Sequence, residues 1–114
     1  MSRDNQIRVC MAGVTGWVGS ALVPAILTQN DLVLTSAVAR TAAGKTVGEA
    51  LGCKSDVRIR STVAEAVAKD EFDVMVDYTS VKTIFANVQA AVAGKKNVVV
   101  GTSGLTEEDR KSVV

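Results

Sequence analysis

The stretch CMAGVTGWVGSAL, residues 10–22, carries glycines at positions 13, 16 and 19 between two apolar segments. Glycines so spaced at a strand-to-helix joint have separate uses. The first allows a tight turn out of the strand, the second lets a pyrophosphate approach the backbone, and the third lets the helix pack closely on the sheet. The start of the helix offers free N–H groups and partial positive charge to the phosphates. The spacing here is G-x-x-G-x-x-G, not the commoner G-x-G-x-x-G. It follows a predicted strand and opens a predicted helix, the context the motif requires. The plainer alternative is that the glycines only shape a turn.

The end of the second predicted strand bears on which dinucleotide would fit. An acidic residue about 20 positions beyond the glycines normally holds the ribose 2′-hydroxyl of NAD. Here the segment reads AVAR, residues 37–40, with no carboxylate. The guanidinium of Arg40 suits the 2′-phosphate of NADPH, with NADH as the second choice; a solvated arginine at a strand end is the bland reading. Ligands in such folds bind outside the carboxyl ends of the strands. VDYT ends the fourth predicted strand and GTSG the fifth, so Asp77, Tyr78, Thr79, Thr102 and Ser103 should face one crevice. Their hydroxyls and backbone groups could hold a nicotinamide amide or a substrate carboxylate. Alternatively they cap helices, and Asp77 accepts backbone N–H groups.

The elements that position these residues alternate in period. Residues 7–13 and 32–40 read as strands, and 17–29 as a helix with apolar residues at 18, 22, 23, 26 and 27. Pro24 lies inside that helix and predicts a kink or a break near its start. A glycine-rich stretch follows, with one helical turn at 47–51 and a short strand at 57–60. Ser61 or Thr62 with Glu65 makes a helix cap. Residues 72–79 form a strand. The helix after it has apolar residues at 81, 84, 85, 88, 91 and 92 and a stop at Gly94. Residues 97–104 form a strand, and Thr106 caps a last helix whose first turn holds Glu107, Glu108 and Asp109. This alternation predicts an α/β fold, a Rossmann-type doubly wound parallel sheet in three layers (α/β/α). The last predicted helix has no ending signal, which points to a domain of a longer protein.

Composition excludes several functions. The 114 residues suffice for one domain with a real core, residues 1–114, and carry a net charge of +1 with no basic run, which argues against a nucleic-acid grip. No apolar stretch reaches the length of a membrane helix and the N-terminus lacks a signal-peptide centre, so the expected location is the cytoplasm. With no histidine and two cysteines, Cys10 and Cys53, no metal site is expected, and the commonest general acid/base is missing.

Taken together, IRVCMAGVTGWVG, the strand ending in Arg40, FDVMVDYTS and VVVGTSGLTEED resemble the N-terminal nucleotide-binding domain of the dihydrodipicolinate reductase (4-hydroxy-tetrahydrodipicolinate reductase) family. These are NAD(P)H-dependent reductases of diaminopimelate and lysine biosynthesis, in bacteria and in plant plastids. The resemblance runs over nearly the whole chain, and its last motif is the most specific. It implies that Gly13, Val14, Thr15, Gly16, Trp17, Val18 and Gly19 wrap the cofactor pyrophosphate and that Arg40 takes the adenosine 2′-phosphate. It places Tyr78 and Thr79 near the nicotinamide ribose, and Gly101, Thr102 and Ser103 at the nicotinamide and the substrate side.

Departures are visible. Trp17 stands where the family usually has Arg or Lys, and Val18 where it usually has Met; TGWVG is nearer the loops of extended short-chain dehydrogenases. Ala39 replaces an acid that lets the family also use NADH, Ser103 replaces Thr, and Ser80-Val81-Lys82 replaces x-Pro-Glu. In the family, the catalytic acid and the site for the small dicarboxylate substrate lie in a C-terminal domain, through which it is commonly tetrameric. None of that domain's motifs is in this sequence, so no catalytic residue is carried over; the chain alone should bind cofactor without turnover and is free to be monomeric. Two other functions stay open. One is an extended short-chain oxidoreductase, whose Tyr-x-x-x-Lys pair is matched in spacing by Tyr78 and Lys82, although Tyr78 belongs to a strand end. The other is a non-enzymatic nucleotide sensor.

Overall fold

The computed structural model describes residues 6–101. Five strands, β1 (Ile7–Ala12), β2 (Leu32–Val38), β3 (Ile59–Arg60), β4 (Val74–Asp77) and β5 (Asn97–Val100), form one parallel sheet in the order β3-β2-β1-β4-β5. Four helices connect them: α1 (Trp17–Thr28), α2 (Val47–Leu51), α3 (Val63–Lys69) and α4 (Val81–Ala93). The order reverses at β1, between the β2 and β4 sides, and this is where a crevice opens at the carboxyl ends of such sheets. The expected three-layer fold is present. The expected last helix lies outside the described residues.

The central strands β1, β2 and β4 feed two cores, as alternating side chains allow. On one face Val9 and Met11 pack with Val23 and Ile26 of α1, Val47 of α2 and Ile59 of β3. On the other, Cys10, Ala12 and Met75 pack with Val63 and Ala66 of α3 and with Ile84, Val88 and Ala91 of α4. A register shift against β1 falls between Val9↔Leu34 and Cys10↔Ser36, leaving Thr35 as the extra residue of β2. The shift changes the parity of the strand: Leu34 and Ala37 face the α1 side, whereas Val38 faces the α3–α4 side. Burial pushes the Cys10 thiol up to about 12, so it stays a neutral, inert core group at physiological pH.

Several expectations need correction. Helix α1 runs through Pro24 without a break. Pro24 is exposed, so the carbonyl that loses its partner lies toward water, where hydration replaces the missing bond. Val18, Leu27, Val81 and Val92 are not on the buried faces of their helices. β2 ends at Val38 rather than 40, and β3 begins at Ile59 rather than 57, because only Ala37 and Val38 pair with it. β4 is Val74–Asp77, shorter than residues 72–79, although Phe72 is buried just before it. The cap of α3 is Thr62, whose side chain accepts from the Glu65 N–H, while the Glu65 carboxylate accepts from the Ser61 N–H.

Two charged clusters tie the sheet, one at the amino ends of β1 and β4 and one between β3 and the end of α3. Arg8 meets Asp73 at 2.9 Å and Glu71 at 3.0 Å, and Arg60 meets Asp70 at 2.7 Å with Ser36 donating to the same carboxylate. Burial acts to raise the Asp70 carboxyl, but hydrogen bonds from Arg60 and Ser36 outweigh it and hold it below the usual range. Hydrogen bonds from the Arg8 side chain and backbone lower Asp73 likewise.

Candidate functional site: a cavity at the carboxyl ends of the strands

A cavity of about 630 Å³ opens at the carboxyl ends of the strands. Its walls are the β1–α1 turn (Gly13, Thr15, Gly16), the end of β2 (Arg40, Thr41), the start of α3, and the β4–α4 turn with the inner face of α4. The volume falls within the usual range of a ligand site.

The β1–α1 turn is held by its own backbone. Gly13 and Val14 N–H groups donate to the Val38 carbonyl, at 2.9 and 3.2 Å, and the Gly16 N–H donates to the Gly13 carbonyl at 3.0 Å. Gly13 has φ of +86°, and a Cβ there would lie 2.7 Å from the Tyr78 carbonyl oxygen. A Cβ on Gly19 would overlap the Gly13 carbonyl, so this glycine sets how closely α1 meets the turn. Both positions demand glycine on steric grounds within the protein. After this accounting, the N–H groups of Thr15, Trp17, Val18 and Gly19 make no hydrogen bond within the described residues. Gly16 is the N-cap and supplies no side-chain cap, and no acidic residue lies in the first turn. Three of these residues, Thr15, Trp17 and Val18, are exposed, so orphan donors and the positive end of a 12-residue helix face water together, with Gly19 buried just behind them. Chemically this suits an anion with several oxygens.

The β4–α4 turn is the opposite case. Asp77, fully buried, accepts the Thr79 N–H at 2.8 Å and the Thr79 hydroxyl at 2.5 Å on Oδ1, and the Asn87 amide at 3.0 Å on Oδ2. The Thr79 hydroxyl in turn accepts from Thr83 at 2.9 Å and from Asn87 at 3.3 Å. One donation and two acceptances use the whole capacity of that hydroxyl. The reading of Asp77 as an internal acceptor fits this geometry. Thr79 is left with only its backbone to offer a ligand.

Of the remaining residues singled out by sequence, Arg40 is exposed at the cavity rim and makes no ion pair among the described residues. Val14 is buried in the core, and Trp17 and Val18 are exposed, Trp17 at 93%, so for these three it is the backbone that the turn presents. The Tyr78 ring lies over Gly101, where any side chain would collide with it. Tyr78 follows the end of β4 and Lys82 sits on α4, so the pair is not carried on one helix. Thr102 and Ser103 lie outside the described residues. Sequence reading missed Thr83 and Asn87. Their spacing of four on one helical face, beside a strand-end Asp, was the available signal.

A doubly wound parallel sheet with a bare helix start over a switch-point cavity defines the class of dinucleotide-binding α/β domains. The family described as "Dihydrodipicolinate reductase, N-terminus" matches residues 7–114. The chain belongs to that family. Among its relatives, the 4-hydroxy-tetrahydrodipicolinate reductase of Rippkaea orientalis is 35% identical over 120 residues, covering 99% of this chain and 44% of the relative. That of Methanothermobacter thermautotrophicus is 31% identical over 113 residues, covering 94% and 41%. A dipicolinate-bound dihydrodipicolinate reductase from Paenisporosarcina sp. TG-14 superposes with a TM-score of 0.76 at 20% identity, over 95% of this chain and 42% of that one. The chain thus spans about two fifths of the length of these relatives. Among the described residues no helix is long and apolar enough to cross a membrane.

Proposed function

We propose that this chain is the cofactor-binding part of a 4-hydroxy-tetrahydrodipicolinate reductase, and that its cavity takes NADPH in preference to NADH. The observation that carries this reading is the bare start of α1. Of its unpartnered N–H groups, that of Thr15 lies in the cavity wall beside Gly13 and Gly16, and those of Trp17, Val18 and Gly19 follow in the first turn. They fit a pyrophosphate, whose oxygens would complete the donors the protein leaves open. Arg40, exposed on the rim beyond the turn, fits the adenosine 2′-phosphate. No carboxylate among the cavity-lining residues competes for it or repels that phosphate.

When bound, the reduced nicotinamide supplies a hydride. The chain's own residues bind and orient. The β1–α1 turn fixes the phosphates, the saturated Thr79 hydroxyl removes one competing donor, and the Tyr78 ring over Gly101 closes the side of the crevice nearest β5. Gly101, Thr102 and Ser103 are assigned to the nicotinamide and the substrate side. The dicarboxylate substrate and the proton donor belong to a further domain, consistent with a chain that spans 41% to 44% of its curated relatives. A cytoplasmic setting and a tetrameric whole enzyme go with this assignment.

Calorimetric titration of the 114-residue chain tests it. NADPH should bind, and NADH should bind about tenfold more weakly, the worth of a charge-assisted contact. Arg40→Ala should remove the difference by weakening NADPH alone. Equal binding of both by the wild type removes the role of Arg40; binding of neither by the folded chain overturns the assignment.

A further inference from the structure

We infer that Asn87 reads the base of the nucleotide: its side-chain carbonyl, held facing the cavity by Asp77 and Thr79, accepts the exocyclic amino group of adenine. The inference rests on the cofactor reading above and adds a residue and a selectivity to it.

The amide orientation is forced by chemistry. The Asn87 nitrogen lies 3.0 Å from Asp77 Oδ2 and 3.3 Å from Thr79 Oγ1. A carboxylate only accepts. The Thr79 hydroxyl has its single hydrogen committed to Asp77 Oδ1, so toward Asn87 it too must accept. Only the NH₂ group satisfies both neighbours, and both of its hydrogens are used there. Asn87 Oδ1 therefore points away from this cluster and has no hydrogen-bond partner among the described residues. No buried side-chain polar atom of the described residues lacks a partner, so Oδ1 is not sealed in the core. Asn87 lines the cavity, and that is the open space it meets.

The surroundings fit a flat base. Besides Arg40, the cavity is lined by Val63 and Ala64 at the start of α3 and by Ala86 and Ala90 on α4. These are small apolar walls suited to ring faces, with Asn87 as the amide among them. With the pyrophosphate at α1 and the 2′-phosphate at Arg40, the base falls in this slot. An acceptor fixed at its edge pairs with the 6-amino group of adenine. Hypoxanthine carries a carbonyl at the same position, which sets acceptor against acceptor and leaves Oδ1 unpaired.

The experiment titrates the 114-residue chain with NADPH and with its hypoxanthine analogue, which keeps both phosphate groups and the nicotinamide. The wild type should bind NADPH about tenfold more tightly than the analogue, and Asn87→Ala should bring the two together by weakening NADPH, with the analogue little changed. Asn87→Ala also strips a partner from Asp77 and could fail to fold. A second readout therefore uses the wild type: the Asn87 side-chain amide resonances should shift with NADPH and move far less with the analogue. Equal binding of the two nucleotides, or amide shifts of equal size, overturns the role of Asn87 while leaving the cofactor reading intact. Binding of neither overturns both.

Discussion

Three helices begin at the same cavity, and two of them, α1 and α4, are finished differently. The turn that starts α4 is tied by side chains: the Ser80 N–H meets Thr83 Oγ1 at 3.4 Å, and Asp77, Thr79 and Asn87 lock the residues before it, while the Val81 and Lys82 N–H groups make no hydrogen bond within the described residues. The start of α1 has neither a side-chain cap nor an acidic residue in its first turn. Thr46 accepts from the Glu49 N–H, and Thr62, itself in the cavity wall, accepts from the Glu65 N–H, so α2 and α3 are capped as well. Among the described helices, the one with neither a capping side chain nor a capping box is the one that the glycine turn holds against the cavity. An uncapped helix start forgoes about 1 kcal/mol of stability. Here that cost falls where an anionic ligand would recover it.

The contrast can be broken from the α1 side. Gly19→Ala places a Cβ on the Gly13 carbonyl and should cost about 3 kcal/mol, read by urea unfolding, with loss of NADPH binding. Gly16→Asp should separate the two quantities. Gly16 has φ of −72°, which any residue adopts, and a Cβ there would sit 3.2 Å from the Gly13 carbonyl, a tight but yielding contact. The aspartate caps α1, so stability should rise by about 0.5 kcal/mol while NADPH affinity falls about tenfold or more through charge repulsion.

Smaller effects sharpen the comparison at residues away from the site. Asp70→Ala removes the partner of Arg60 and should lower stability by about 2 kcal/mol without changing nucleotide affinity. The pH dependence follows from the same pairs. The folded-state carboxyls of Asp70 and Asp73 are held below their unfolded values, so their contribution is complete above about pH 4 and is lost as pH falls through the folded values. Stability should therefore decline on acidification below that point, and the Asp70→Ala variant should show a shallower decline in acid titration followed by circular dichroism. Thr62→Ala should cost about 1 kcal/mol in the same unfolding assay and leave binding unchanged.

Much of this was legible in the sequence, for physical reasons. Period-two and period-3.6 patterns gave the alternation of strands and helices, and the single turn at Val47–Leu51 is expected within the glycine-rich stretch, although its Thr46–Glu49 capping box shows only in the structure. The glycine turn could be read because its residue types are sterically demanded at Gly13 and Gly19. What escaped depended on distance in the chain. Thr35 as the extra residue of β2 shows only in the register against β1. Asn87 reads as a polar residue on an amphipathic helix until Asp77 and Thr79 are placed beside it. The continuity of α1 through Pro24 depends on which face of the helix meets water, which local sequence does not fix.

The most direct measurement is backbone amide NMR of the ¹⁵N-labelled chain as NADPH is added. The account predicts shifts concentrated at Thr15, Trp17, Val18 and Gly19, with Thr41 and Thr79 following, and little change at Arg8, Glu71 and Asp73 at the opposite ends of the strands. Unmoved α1 amides at saturating NADPH, or changes centred on those opposite ends, would contradict it.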